Sequence, residues 1–164
     1  MYSQGYSQPP ETPPYIIHVD EITAAFIDKI YKEHNLTCAG SGGSMPYDVE
    51  TIRVNFDSDQ NSSIEKARAL EVAVTEQLVN MVNAHEKIRP FLREYPFTSE
   101  RAQIMISFKN KKSKIHGDKP LTLIFQARGK IHYFTDHPET DQYIKILKEP
   151  YEEAKQKVLP FIKR

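Results

Sequence analysis

Apolar residues recur three and four apart in three stretches of the chain and at every second position in several others. Ile22, Phe26 and Ile30, with Ala25 and Ile27 less regularly, have helical spacing behind Asp20, a candidate N-cap. A helix is predicted from about Asp20 to His34. Ala67, Leu70, Val74, Leu78 and Met81 mark a second helix, opened in capping-box form by Ser62-Ser63-Ile64-Glu65 and reaching about Asn83. On it Glu71, Glu76 and Gln77 are expected to face solvent. Pro150 suits the first turn of a third helix to Ile162, with Tyr151, Ala154, Val158 and Ile162 inward.

Alternation predicts the strands. Ile52, Val54 and Phe56 face one way and Thr51, Arg53 and Asn55 the other, within Tyr47–Phe56. Ile104, Ile106 and Phe108 define a second strand; Leu121, Leu123, Phe125 and Ala127 a third; Ile131–Thr135, after a turn at Gly129, a fourth. Leu36–Gly40 is a short candidate strand, closed by Ser41-Gly42-Gly43 as a turn. Pro90 and Pro96 break the connection over residues 84–99, with a short helical turn expected between them. The predicted fold is α+β: a single antiparallel sheet of four or five strands with three main helices packed on one face.

Residues 1–14, MYSQGYSQPPETPP, repeat Tyr-Ser-Gln, carry two Pro-Pro pairs and offer almost nothing aliphatic to bury. They predict a disordered tether ahead of one domain over residues 15–164. At 164 residues, with 39% hydrophobic and 27% charged residues, the chain is long enough and apolar enough for an independent core. No apolar run approaches the ~18–20 residues that cross a bilayer. The start of the chain has no basic segment followed by an apolar one. As it stands the chain predicts a cytoplasmic protein, or an exported or lipid-anchored one if a leader preceded it. A single cysteine, Cys38, excludes an intrachain disulfide.

The net charge is zero but unevenly spread: residues 1–60 hold nine acids and three bases, residues 101–164 fourteen bases and seven acids. The neutral total argues against a dedicated nucleic-acid binder, so no specific nucleic-acid partner is expected. Five lysines with one acid fill Lys109–Lys119. Lys109, Lys111, Lys112 and Lys114 are candidate anion-binding residues for phosphate backbones or an acidic surface. The loop has no interleaved aromatics to stack on bases.

Cys38-Ala39-Gly40-Ser41-Gly42-Gly43-Ser44 lacks both the Lys-Ser/Thr ending of a phosphate-binding loop and the full GxGxxG pattern. An enzyme site near Cys38 and Gly40–Gly43, with His34 or His132 as base, is the alternative to a structural reading. The six histidines show no metal-ligand spacing, and Asp57, Asp59 and Asn61 start a calcium-loop pattern that Ser62 breaks. No metal or cofactor is expected. The stretch Ile88–Phe97 combines Phe91, Tyr95 and Phe97 with Arg89 and Arg93, residue types enriched in protein interfaces.

The segments Met45-Pro46-Tyr47-Asp48-Val49-Glu50, Ile88-Arg89-Pro90-Phe91-Leu92, Tyr95-Pro96-Phe97-Thr98 and Tyr151-Glu152-Glu153-Ala154 resemble a family of small bacterial proteins that includes predicted lipoproteins. The resemblance covers roughly residues 20–160 and implies no activity, cofactor or catalytic residue. The function expected is that of a non-enzymatic interaction or ligand-binding domain, with a protein partner through Arg89, Phe91, Arg93, Tyr95 and Phe97 and no defined oligomeric state.

Overall fold

Pro14 opens the first helix, α1 (Pro14–His34), well ahead of the start expected at Asp20. A proline ring fits the first turn because its missing N–H would have no partner there. Tyr15 and Val19 extend the buried stripe of Ile22, Phe26 and Ile30. Asp20 is therefore an exposed residue within the helix and not its cap. The computed structural model describes residues 12–109 and 121–162. The predicted tail lies almost wholly outside the described residues, and Pro14, its last residue, belongs to α1.

Strand β1 (Thr37–Ser44) runs straight through Ser41-Gly42-Gly43, which were expected to turn, and pairs antiparallel with β2 (Thr51–Ser58). The reversal falls later, between Ser44 and Thr51, where Glu50 N–H donates to Ser44 O at 3.0 Å. Gly43 explains why the glycines sit in a strand: its φ is +152° and an added Cβ would lie 2.1 Å from Thr51 O. Only glycine allows that approach.

Helix α2 (Ile64–Ala84) is capped by Ser63, whose hydroxyl accepts from Lys66 N–H at 3.2 Å. It returns the chain so that β3 (Ala102–Phe108) lies parallel to β2, as a helical crossover allows. Two 3-10 turns, Glu86–Phe91 and Ser99–Arg101, bend the connection. The first lies before the expected place, with Pro90 inside it. Strands β4 (Leu121–Ala127), β5 (Lys130–Asp136) and β6 (Tyr143–Pro150) follow antiparallel, and helix α3 (Tyr151–Ile162) ends the described chain.

Among the described residues the sheet has six strands in the order β1-β2-β3-β4-β5-β6 and is mixed, mostly antiparallel, with three main helices. The purely antiparallel sheet of four or five strands is corrected by the β2–β3 pair and by β6. Periodicity missed β6 because it is an edge strand in which Glu149 alone is buried.

Ile52, Val54 and Phe56 of β2, Ile104 and Ile106 of β3 and Tyr133 of β5 share one core cluster with Phe26, Leu78 and Tyr151 of the helices. Glu71 of α2, expected at the surface, is fully buried in that region. No helix among the described residues is long and apolar enough to cross a membrane.

Candidate functional site

A one-residue irregularity in β4 decides what its side chains face. The β4–β5 register shifts between Leu121 and Leu123, so Leu121 and Thr122 are both buried and the alternation then inverts. Ile124 and Gln126 point into the core; Leu123 and Phe125, expected inside with Leu121, lie on the other side, half-buried. Gln126 tolerates the interior because it is fully bonded. Thr75 Oγ1 donates to its Oε1 at 2.9 Å, and its Nε2 donates to Ser99 O at 3.0 Å.

The displaced aromatics join others on neighbouring strands. The pairing register aligns Met105, Phe125, His132 and Lys148 in one row across β3 to β6, and Ser107, Leu123, Phe134 and Lys145 in the next. Phe125 and His132 stack with centroids 6.3 Å apart, His132 and Phe134 at 6.4 Å, and Phe134 meets Tyr143 edge-on at 6.3 Å. Lys145 Nζ stands 5.8 Å over the Phe134 ring. Partial burial, reinforced by Lys145, Lys148 and Lys130, lowers the pKa of His132, so this ring is neutral at physiological pH. Its buried Nδ1 has no hydrogen-bond partner.

Among the described residues this face carries Arg53, Lys109, Lys130, Lys145 and Lys148 against Asp57 and Asp136. Lys109 Nζ lies 3.8 Å from Asp57 Oδ1 and partly neutralises it. Lys111, Lys112 and Lys114 lie outside the described residues.

The stretch Ile88–Phe97 divides into parts. Ile88 and Phe97 are buried, and the Phe97 peptide is tied to Asn83 by two bonds of 2.7 and 2.9 Å. Phe91 is half-buried against Tyr15 at 5.8 Å between centroids. Arg93 is held by Asp48 and Glu50, each at 2.9 Å. Arg89, exposed, is stacked 5.1 Å over the ring of Tyr95, which is 52% exposed. The peptide between Tyr95 and Pro96 is cis.

Cys38 is half-buried on β1, and its thiol donates to Gly40 O at 3.6 Å. His132 sits on β5, four strands across the sheet, which at ~4.8 Å per strand is far beyond the reach of a base. The other polar cluster is interior. Glu149 accepts from Arg68 Nε and from the Tyr133 hydroxyl, both at 2.6 Å, and from Lys157 Nζ at 3.0 Å. These partners outweigh burial and lower its pKa, though burial is the largest single influence. They form a structural tie between α2, β5, β6 and α3, with its charges satisfied.

Fold and face together define an α+β domain with an aromatic and basic sheet surface. Compared as a sequence and as a structure, the chain matches no family model, no curated protein and no solved structure.

Proposed function

We propose that the domain is a non-enzymatic binding module that holds a single nucleic-acid strand against the open face of its sheet. In this reading the three helices cover one face and leave the other for ligand. The observation that carries it is the run Phe125–His132–Phe134–Tyr143, four rings at successive centroid spacings of 6.3, 6.4 and 6.3 Å beside Lys145 and Lys148. Unpaired bases stack on such rings with little regard to sequence, each worth ~1–3 kcal/mol, while lysines track the phosphates. The neutral chain as a whole implies weak, salt-sensitive binding without base specificity, rather than the tight binding of a strongly basic domain.

Fluorescence anisotropy with labelled single-stranded oligo-uridine of ~10–15 nucleotides at low salt tests the proposal. Removing two stacking platforms worth ~1 kcal/mol each makes the expected weakening for Phe125→Ala with Phe134→Ala about 30-fold. Replacing Lys145 and Lys148 by Gln should flatten the salt dependence by about 0.7 of a unit of logarithmic slope for each phosphate no longer neutralised. Binding equal in wild type and the double phenylalanine variant, or none at ~100 µM protein, rules this face out as the binding surface.

A further inference from the structure

We propose that His18, Glu21 and His85 form a divalent-cation site, suited to zinc, with a fourth coordination position open to solvent. His18 and Glu21 are one turn apart on α1, so their side chains project together. His85 is the C-terminal cap of α2, where the chain leaves the helix for the Glu86–Phe91 turn, and its ring is delivered onto the same spot. His85 Nε2 lies 3.1 Å from Glu21 Oε2, and His18 Nδ1 lies 3.8 Å from the same oxygen. All three donor atoms fall within 4.8 Å of one another. Zinc holds nitrogen and oxygen ligands at ~2.0–2.2 Å, which separates tetrahedral ligand atoms by ~3.3–3.5 Å. The two carboxylate–imidazole distances straddle that span, and the two imidazole donors lie within 4.8 Å of each other.

Two further features separate this cluster from an incidental surface group. His18 Nδ1 is buried and has no hydrogen-bond partner, so one of the proposed donor atoms is unsatisfied without a ligand. The His18 ring is also held in place, stacked on Phe91 at 6.4 Å and packed against the His85 ring at 5.4 Å. Glu21, 56% exposed, gives the ion an entry path and leaves room for a water or an external ligand.

The surroundings also set the affinity. The Glu21 carboxylate is flanked by His18, His85 and Lys87, and the lysine cation disfavours a second positive charge. With Nε2 on the metal, His85 Nδ1 carries the proton, yet that buried atom faces no acceptor. Missing support of this kind typically weakens a site ~10–100-fold. Zinc takes imidazole nitrogen only in its deprotonated form, so protons compete with the ion for this site. The site is independent of the sheet face and stands whether or not that face binds nucleic acid.

Titration of the untagged full chain with zinc chloride against a chromophoric chelator tests the assignment. One ion per chain is expected, with His18→Gln and His85→Gln each weakening it at least ~10-fold. Cys38→Ser and His132→Gln should bind as wild type does. Zinc in ~100-fold excess over its wild-type Kd should raise the Tm of wild type by several degrees and that of His18→Gln by at most about half as much. Should the histidine variants fold poorly, zinc-induced shifts of the wild-type His18 and His85 ring NMR signals decide the matter. Wild-type binding no tighter than that of the triple variant H18Q/E21Q/H85Q, or ring signals unmoved by zinc, overturns the proposal.

Discussion

Glu71 should make the protein less stable as pH rises from about 4.5 toward neutrality, against the usual behaviour of carboxylates. The residue is fully buried on α2, neither carboxyl oxygen has a hydrogen-bond partner, and burial raises its pKa well above the ordinary value. An unfolded chain releases this proton near ~4.5, whereas the folded chain retains it. Above that pH the folded state binds more protons than the unfolded state, and stability falls by up to ~1.4 kcal/mol per pH unit until the folded group titrates. Glu71→Gln keeps the shape and removes the titration, so its advantage over wild type should be small at pH ~4.5 and grow as pH rises. Glu71→Met also removes the unsatisfied polar atoms and should be more stable than Glu71→Gln by ~1–3 kcal/mol at every pH. Urea unfolding of the three proteins across that range measures the differences directly. Glu149 contributes the opposite slope, lost as pH falls through its lowered pKa, and cancels in the comparison because all three proteins share it. Parallel curves for wild type and Glu71→Gln would refute the assignment of a buried neutral acid.

Stability should also respond at two other close approaches. Tyr133→Phe removes a 2.6 Å hydrogen bond to the Glu149 carboxylate and should cost ~1.5–3 kcal/mol. Glu149→Ala should cost ~3–5 kcal/mol because it strands the Arg68 guanidinium, and chemical unfolding at neutral pH ranks the two. Gly43→Ala places a Cβ 2.1 Å from Thr51 O at a φ of +152° and should lower Tm by several degrees, since such strain costs ~1–3 kcal/mol. Gly40→Ala, with nothing within 4 Å of the added atom, should leave Tm nearly unchanged.

Long helical stripes are legible in the sequence, and α2 begins within one residue of the expected cap. What escapes a sequence reading depends on contacts between distant segments. Thr122 adds one residue to β4 relative to β5, and no local pattern distinguishes Leu121, Leu123 and Phe125 on one face from a strand whose phase slips after Leu121. The signal for the slip is Gln126, whose polar group is stable inside only because Thr75 and Ser99 lie opposite. A glutamate such as Glu71 reads as an outward residue by its type, although its spacing to Ala67, Val74 and Leu78 puts it on the buried side of α2. The histidine cluster has no linear signature, because His18 and His85 meet only when α1 and α2 pack together.

Charge follows the same topology. Acids dominate the first sixty residues and bases the last sixty-four, and such an asymmetry vanishes in a fold whose halves interleave. Here strand order follows chain order, so β1 and β2 occupy one side of the sheet and β5 and β6 the other. The acids of the first part, Asp48, Glu50 and Asp57, are engaged by Arg93 and Lys109, whereas Lys130, Lys145 and Lys148 gather beside the aromatic rows. A net charge of zero therefore describes a polarised sheet rather than a uniformly neutral one. Sequential topology lets a chain without basic excess carry a cationic edge, and under the proposed function the phosphate backbone would run along that edge, beside Phe125 and Phe134.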